Sequence, residues 1–128
     1  MQIREQVKEA MLKVDPLFWE TSDIDIIGAW NGIGPAWLSN TIRKRITYAL
    51  QFYRLVYIIH DFDFKFCIDR SRKSFNKSND RAKINMAILR ETLPWYRFIK
   101  RFMLRKAAHV LYYFCDEHGW SAWQVANR

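Results

Sequence analysis

The stretch Tyr57-Ile58-Ile59-His60-Asp61-Phe62-Asp63-Phe64 decides how the chain is read, because it sets a histidine beside an aspartate inside the most apolar part of the sequence. As a helix, the surrounding segment gathers Ile46, Ala49, Leu50, Tyr53, Val56, Tyr57, His60 and Phe64 on one stripe, three or four residues apart. His60 then faces the core. Asp61 falls about 100° further round, on the shoulder of that stripe, where a carboxylate can leave the interior for a cleft. An imidazole and a carboxylate disposed in this way form a candidate site.

Working outward, Asn40-Thr41 supplies a cap, so the helix is expected to span 41–66, with Arg43-Lys44-Arg45 in its first exposed turn. Residues 67–77, which include Arg70, Arg72, Lys73 and Lys77, read as a polar linker without helical period. Ser78 or Asn79 then caps a second helix running to Leu93, whose stripe is Ala82, Asn85, Met86, Leu89 and Leu93. Asn85 is the polar member of that stripe. A buried amide left unpaired costs on the order of 1–3 kcal/mol, so Asn85 is expected to meet His60 on the facing helix. Pro94 breaks the chain, and 95–118 resumes as a third helix. On it, Arg97, Lys100, Arg101 and Arg105 form a basic stripe beside Trp95, Phe98, Ile99 and Phe102, while Met103, Ala107, Val110, Leu111 and Phe114 continue the apolar side. Gly119 closes this helix, and the aromatic tail from Trp120 to Val125 is expected to dock on the bundle.

Before the central stretch, residues 2–13 read as a short amphipathic helix ended by Asp15-Pro16. From Thr21 to Trp37 neither a 3.6 nor a 2 period holds, and Trp30-Asn31-Gly32-Ile33-Gly34-Pro35 contains two of the four glycines. This reads as a structured loop. Its glycines fit either a tight turn or a loop whose carbonyls point inward at a hard cation.

At 128 residues the chain is expected to be a single domain, 1–128, large enough to bury one core. Half of it is hydrophobic and 16% aromatic, and with four glycines and three prolines there is little material for hairpin turns. The expected fold is therefore all-α, a small helical domain with two antiparallel core helices plus a long C-terminal helix. Cys67 and Cys115 are too few for a disulfide framework, and Cys115-x-x-His118 with Cys67 or His109 is poor zinc spacing. The mixed charges of residues 1–15 do not resemble a signal peptide, and no apolar run is long enough to span a bilayer, so a cytoplasmic or virion-associated protein is expected. Net charge is +8, yet six of the 13 acidic and three of the 21 basic residues fall within 1–25. The body is thus strongly basic, a field that attracts nucleic acid or anionic lipid headgroups alike.

Three segments in order, Asn31-Gly32-Ile33-Gly34-Pro35, His60-Asp61-Phe62-Asp63-Phe64 and Arg81-Ala82-Lys83-Ile84-Asn85-Met86-Ala87-Ile88, resemble the calcium loop and paired helices of the phospholipase A2 superfamily. The likeness is to its short prokaryotic, phage and parvovirus-capsid-like branches, and Tyr112-Tyr113 with Gly119-Trp120-Ser121-Ala122-Trp123 looks like the ending of short phage members. The resemblance implies a Ca²⁺-dependent hydrolase of the phospholipid sn-2 ester. By position, His60 would be the general base and Asn85 its orienting partner. Asp61 would be the side-chain ligand of Ca²⁺, and Gly32, Ile33 and Gly34 its carbonyl donors. Arg97, Lys100, Arg101 and Arg105 would meet lipid or phosphate at a membrane surface. The sequence departs from the family at Phe64, where a tyrosine is usual, and at Asn85, where the partner is acidic. An amide can fix the tautomer of His60 but cannot offset an imidazolium charge as a carboxylate does. The alternatives are a non-catalytic virion protein, or one binding other virion proteins, on the same scaffold, and a basic nucleic-acid-binding module.

Overall fold

The computed structural model describes residues 2–30 and 51–125. The glycine loop, with Gly32, Ile33 and Gly34, and the 41–50 part of the expected central helix lie outside the described residues. Among the described residues every regular element is helical: α1 (Ile3–Glu9), α2 (Leu17–Glu20), α3 (Asp23–Ala29), α4 (Arg54–Phe66), α5 (Arg72–Arg90), α6 (Phe98–His118) and α7 (Trp120–Val125). Short 3₁₀ turns at Gln51–Tyr53 and Trp95–Arg97 lead into α4 and α6.

The N-terminal helix is shorter than its periodicity suggests. Met11 adopts a left-handed φ of 59°, the Met11 N–H bonds Lys8 O at 3.1 Å, and the Leu12 N–H reaches back to Val7 O at 3.2 Å. These two bonds take up the Val7 and Lys8 carbonyls at the end of α1, which stops before Pro16 is reached. The stretch expected to be irregular contains α3, which Ser22 starts by accepting the Asp25 N–H at 3.2 Å, with Asp23 and Asp25 in its first turn where the helix dipole favours acids.

α4 is the axle of the molecule. Tyr53, Val56 and Tyr57 pack with Ala82 and Met86 of α5 and with Leu104, Ala108 and Leu111 of α6. Its other side, Ile58, Ile59 and Phe62, packs with Ile3, Val7, Leu12, Phe18 and Ile26 from the N-terminal segment. A helix buried on both sides need not show a polar face, and this one has residues 56–60 buried in succession.

α4 and α5 run antiparallel, as expected. Arg90 Nη1 donates to Tyr53 Oη (3.2 Å), Tyr57 Oη approaches Met86 Sδ (3.7 Å), and Ser78 Oγ donates to Asp63 (2.8 Å). Numbers rise along one helix as they fall along the other. α5, however, begins at Arg72 and not at 78. Ser71 caps it by accepting the Ser74 N–H (3.2 Å), and Asp69 Oδ1 accepts the Ser71 N–H (2.9 Å). Of the run read as a linker, 67–71 is non-helical as expected, but 72–77 forms the start of a helix, with Phe75, Ser78 and Asn79 buried.

α6 lies antiparallel to α5, with Arg101 Nη2 3.2 Å from Glu91 Oε1 at one end and Tyr112 Oη donating to Asp80 Oδ1 (2.8 Å) at the other. Its buried stripe is Leu104, Ala108 and Leu111, whereas Met103 and Val110, expected inside, are exposed. α7 docks as expected: the fully buried Trp123 meets Phe64 (5.1 Å between ring centroids) and Phe75 (5.8 Å), and Arg70 and Arg72 stack over Trp123 and Trp120. Gly119 has an ordinary helical φ. Its lack of a side chain answers a need for space, since a Cβ there would sit 2.5 Å from Cys115 O and 3.2 Å from the Phe75 ring.

Candidate functional site

His60 projects from the middle of α4 toward α5 and is 5% exposed. Its Nε2 lies 2.8 Å from Asn79 Oδ1. With a carbonyl oxygen as acceptor, Nε2 carries the proton and Nδ1 is the basic nitrogen. Burial holds the imidazole pKa below its ordinary value, the Asn79 bond opposes that shift, and the nearby Arg81 charge reinforces it. That direction favours the neutral ring. Phe64 covers it at 4.8 Å between centroids and Tyr57 stands at 6.1 Å, so the imidazole sits in an aromatic cage.

The expected pairing of His60 with Asn85 is not found. Asn85 is wholly buried, but its amide grips the N-terminal segment: Oδ1 accepts the Lys13 N–H at 2.7 Å and Nδ2 donates to Lys13 O at 2.8 Å. The face of α5 explains the exchange, since six residues turn the two asparagines about 120° apart. With Tyr57 opposite Met86 and Asp63 opposite Ser78, the α5 side chains level with His60 lie between those two rungs. Asn79 is there, and Asn85 points round the helix toward Lys13. An α5 beginning at 72 puts Phe75, Ser78, Asn79, Ala82 and Met86 on one buried face, and that longer stripe is the signal that identifies Asn79.

Asp61 is half-buried on the flank of α4. Its charge contributes to holding Tyr57 well above the ordinary tyrosine range and to raising Cys115, which burial chiefly pushes up to about 12. Asp61 therefore lies on the side of α4 that faces α6. Asp63 instead faces α5, where Oδ2 accepts Ser78 Oγ (2.8 Å) and Arg81 Nη1 (2.9 Å). Burial raises its pKa to about 6, against the lowering influence of Arg81 and Ser78. Asp80 bonds Tyr112, which it helps push up to about 12, and faces away from His60.

The chain matches no family model, no curated protein and no solved structure. Among the described residues, no three or more His, Cys, Asp or Glu side chains converge as a metal cluster. The Ca²⁺ expectation requires a different donor set, one carboxylate and several loop carbonyls. Asp61 follows His60 in sequence but lies on the α6 side of α4, and the carbonyls of Gly32, Ile33 and Gly34 lie outside the described residues.

The basic stripe of α6 is at the surface. Arg97, Lys100 and Arg105 are exposed and Arg101 half-exposed, and among them Trp95, Tyr96, Phe98, Ile99, Phe102 and Met103 are 59–81% exposed. So many large apolar side chains in water on one helix are unusual for a monomer surface, and such patches mark interaction sites. No described helix is long and apolar enough to cross a membrane.

Proposed function

We propose that the chain is a phospholipid hydrolase of the phospholipase A2 type working at anionic membrane surfaces. The observation that carries this reading is the His60–Asn79 bond, which ties a buried imidazole across two antiparallel helices with Asp61 next in sequence. In this reading His60 Nδ1 takes a proton from water as the water oxygen adds to the sn-2 carbonyl carbon. The imidazolium then returns that proton to the leaving alkoxide, releasing a fatty acid and a lysophospholipid. The depressed pKa keeps His60 unprotonated and ready to act as base. Ca²⁺, held by Asp61 and the 32–34 carbonyls, would supply positive charge at the ester carbonyl when bound. The exposed basic and aromatic start of α6 supports action at a surface: arginines and lysines suit anionic headgroups, and tryptophan and phenylalanine suit the interfacial zone.

A second reading is a non-catalytic membrane-surface or virion protein on the same scaffold. It is favoured by Asn79, which brings no charge to steady an imidazolium, and by Phe64 over the ring. Release of fatty acid from mixed anionic vesicles, with and without Ca²⁺, in wild type and His60→Gln, separates the two. Release lost in His60→Gln supports the hydrolase. Vesicle binding without release in wild type supports the second reading, and tight duplex binding without vesicle binding overturns both in favour of a nucleic-acid module.

A further inference from the structure

A cavity of about 440 Å³ opens on the opposite flank of α4 from Asp61, between Asp15–Leu17, the end of α4 and the first turns of α5. This volume lies within the range of small-molecule sites. Leu17, Phe62 and Trp123 give it an apolar wall, and Lys73, Lys77 and Arg81, one turn apart along α5, give it a basic one.

Three carboxylates also line it, and each already accepts a hydrogen bond. Asp15 Oδ1 takes the Leu17 N–H (3.0 Å), Asp69 Oδ1 the Ser71 N–H (2.9 Å), and Asp63 Oδ2 both Ser78 and Arg81. The donors are in the opposite condition. Among the described residues the Lys73 and Lys77 side chains make no hydrogen bond or close ion pair, and the Lys73 charge acts on Asp69 only from a distance. Unmatched donors beside an apolar wall call for an acceptor joined to a hydrocarbon body.

We propose that this cavity binds a compact amphipathic anion, a carboxylate or phosphate monoester on an apolar body. Lys73 and Lys77 receive the anion, and Leu17 and Phe62 receive the body. His60 does not line the cavity, so this binding is independent of the hydrolytic reading.

Titration of the full chain with phenyl phosphate, benzoate, inorganic phosphate and neutral benzyl alcohol, followed at the Trp123 indole N–H by proton–nitrogen correlation spectra, tests it. Saturable shifts are expected with phenyl phosphate or benzoate, and the stronger of the two identifies the anion. Inorganic phosphate and benzyl alcohol should each bind at least about tenfold more weakly, lacking one half of the recognition. Lys73→Gln/Lys77→Gln, two exposed positions, should weaken binding about tenfold with an unchanged melting temperature, while Lys106→Gln on α6 should have no effect. Unmoved Trp123 signals at millimolar phenyl phosphate and benzoate overturn the proposal, as does equal binding of benzyl alcohol or of the double variant.

Discussion

Single side chains carry the sharpest consequences. Met11 holds a backbone conformation that glycine adopts without strain, and its side chain is exposed, so Met11→Gly should raise stability by about 1 kcal/mol in urea melts. His60 and Asp63 give opposite pH dependences. The pKa of His60 is lowered on folding, so its contribution is complete above about pH 6.5 and is lost as pH falls and the unfolded state takes up the proton. The pKa of Asp63 is raised from 3.8 to about 6, so its contribution is complete below the unfolded value and is lost as pH rises toward about 6. That loss is of the order of 2–3 kcal/mol. The two oppose each other below about pH 6.5. Comparing Asp63→Asn with wild type from pH 4 to 8 should therefore leave a stability that only rises with pH, and an unchanged profile would mean Asp63 titrates normally. At the centre of the proposed site, Asn79→Asp should raise the His60 pKa, read by NMR titration, and increase hydrolysis if imidazolium charge limits it. Composition and position alone marked His60 as buried. They could not name its partner, because two asparagines six residues apart compete and only the face of α5 that packs on α4 chooses between them.

At the level of elements, Asn85 acts as a clasp. Its amide pairs with both the N–H and the C=O of Lys13 from 72 residues away in sequence. Asn85→Ala leaves both backbone groups unpaired and should cost about 2–4 kcal/mol, with amide exchange accelerating first around Lys13. Uniform acceleration across α4 and α5 would instead mean that the N-terminal segment and the bundle open as one unit. The helices themselves were legible wherever an apolar stripe was continuous, as in 54–66 and 98–118. The first turns of α5 were not, because Arg72, Lys73 and Lys77 surround a buried face that includes Ser78 and Asn79, and polar core residues erase the contrast on which periodicity depends. On α6 the stripe lies one residue later than the sequence suggested, at 104, 108 and 111. With aromatic and aliphatic residues nearly all round that helix, hydrophobicity cannot tell the packed side from the exposed one.

For the molecule as a whole, the uneven surface matters most. Charge reversal at Arg97, Lys100, Arg101 and Arg105 should weaken binding to anionic vesicles in a salt-dependent way, while serine at Trp95, Phe98 and Phe102 should weaken it at every salt concentration. Neither set should lower the melting temperature by more than a degree or two, since these side chains stand outside the packed core. The all-α architecture was readable from scarce glycine and proline. That the exposed side of α6 would be apolar as well as basic was not, because exposure belongs to the assembled tertiary structure. The same assembly makes the N-terminal helices an inserted plug. Ile3, Val7, Leu12, Phe18 and Ile26 enter a socket formed by Ile58, Ile59 and Phe62, and the Lys13 peptide latches onto Asn85. Residues 1–30 supplied as a free peptide should therefore complement a chain beginning at residue 31, and a peptide with Val7 and Phe18 changed to serine should fail to do so.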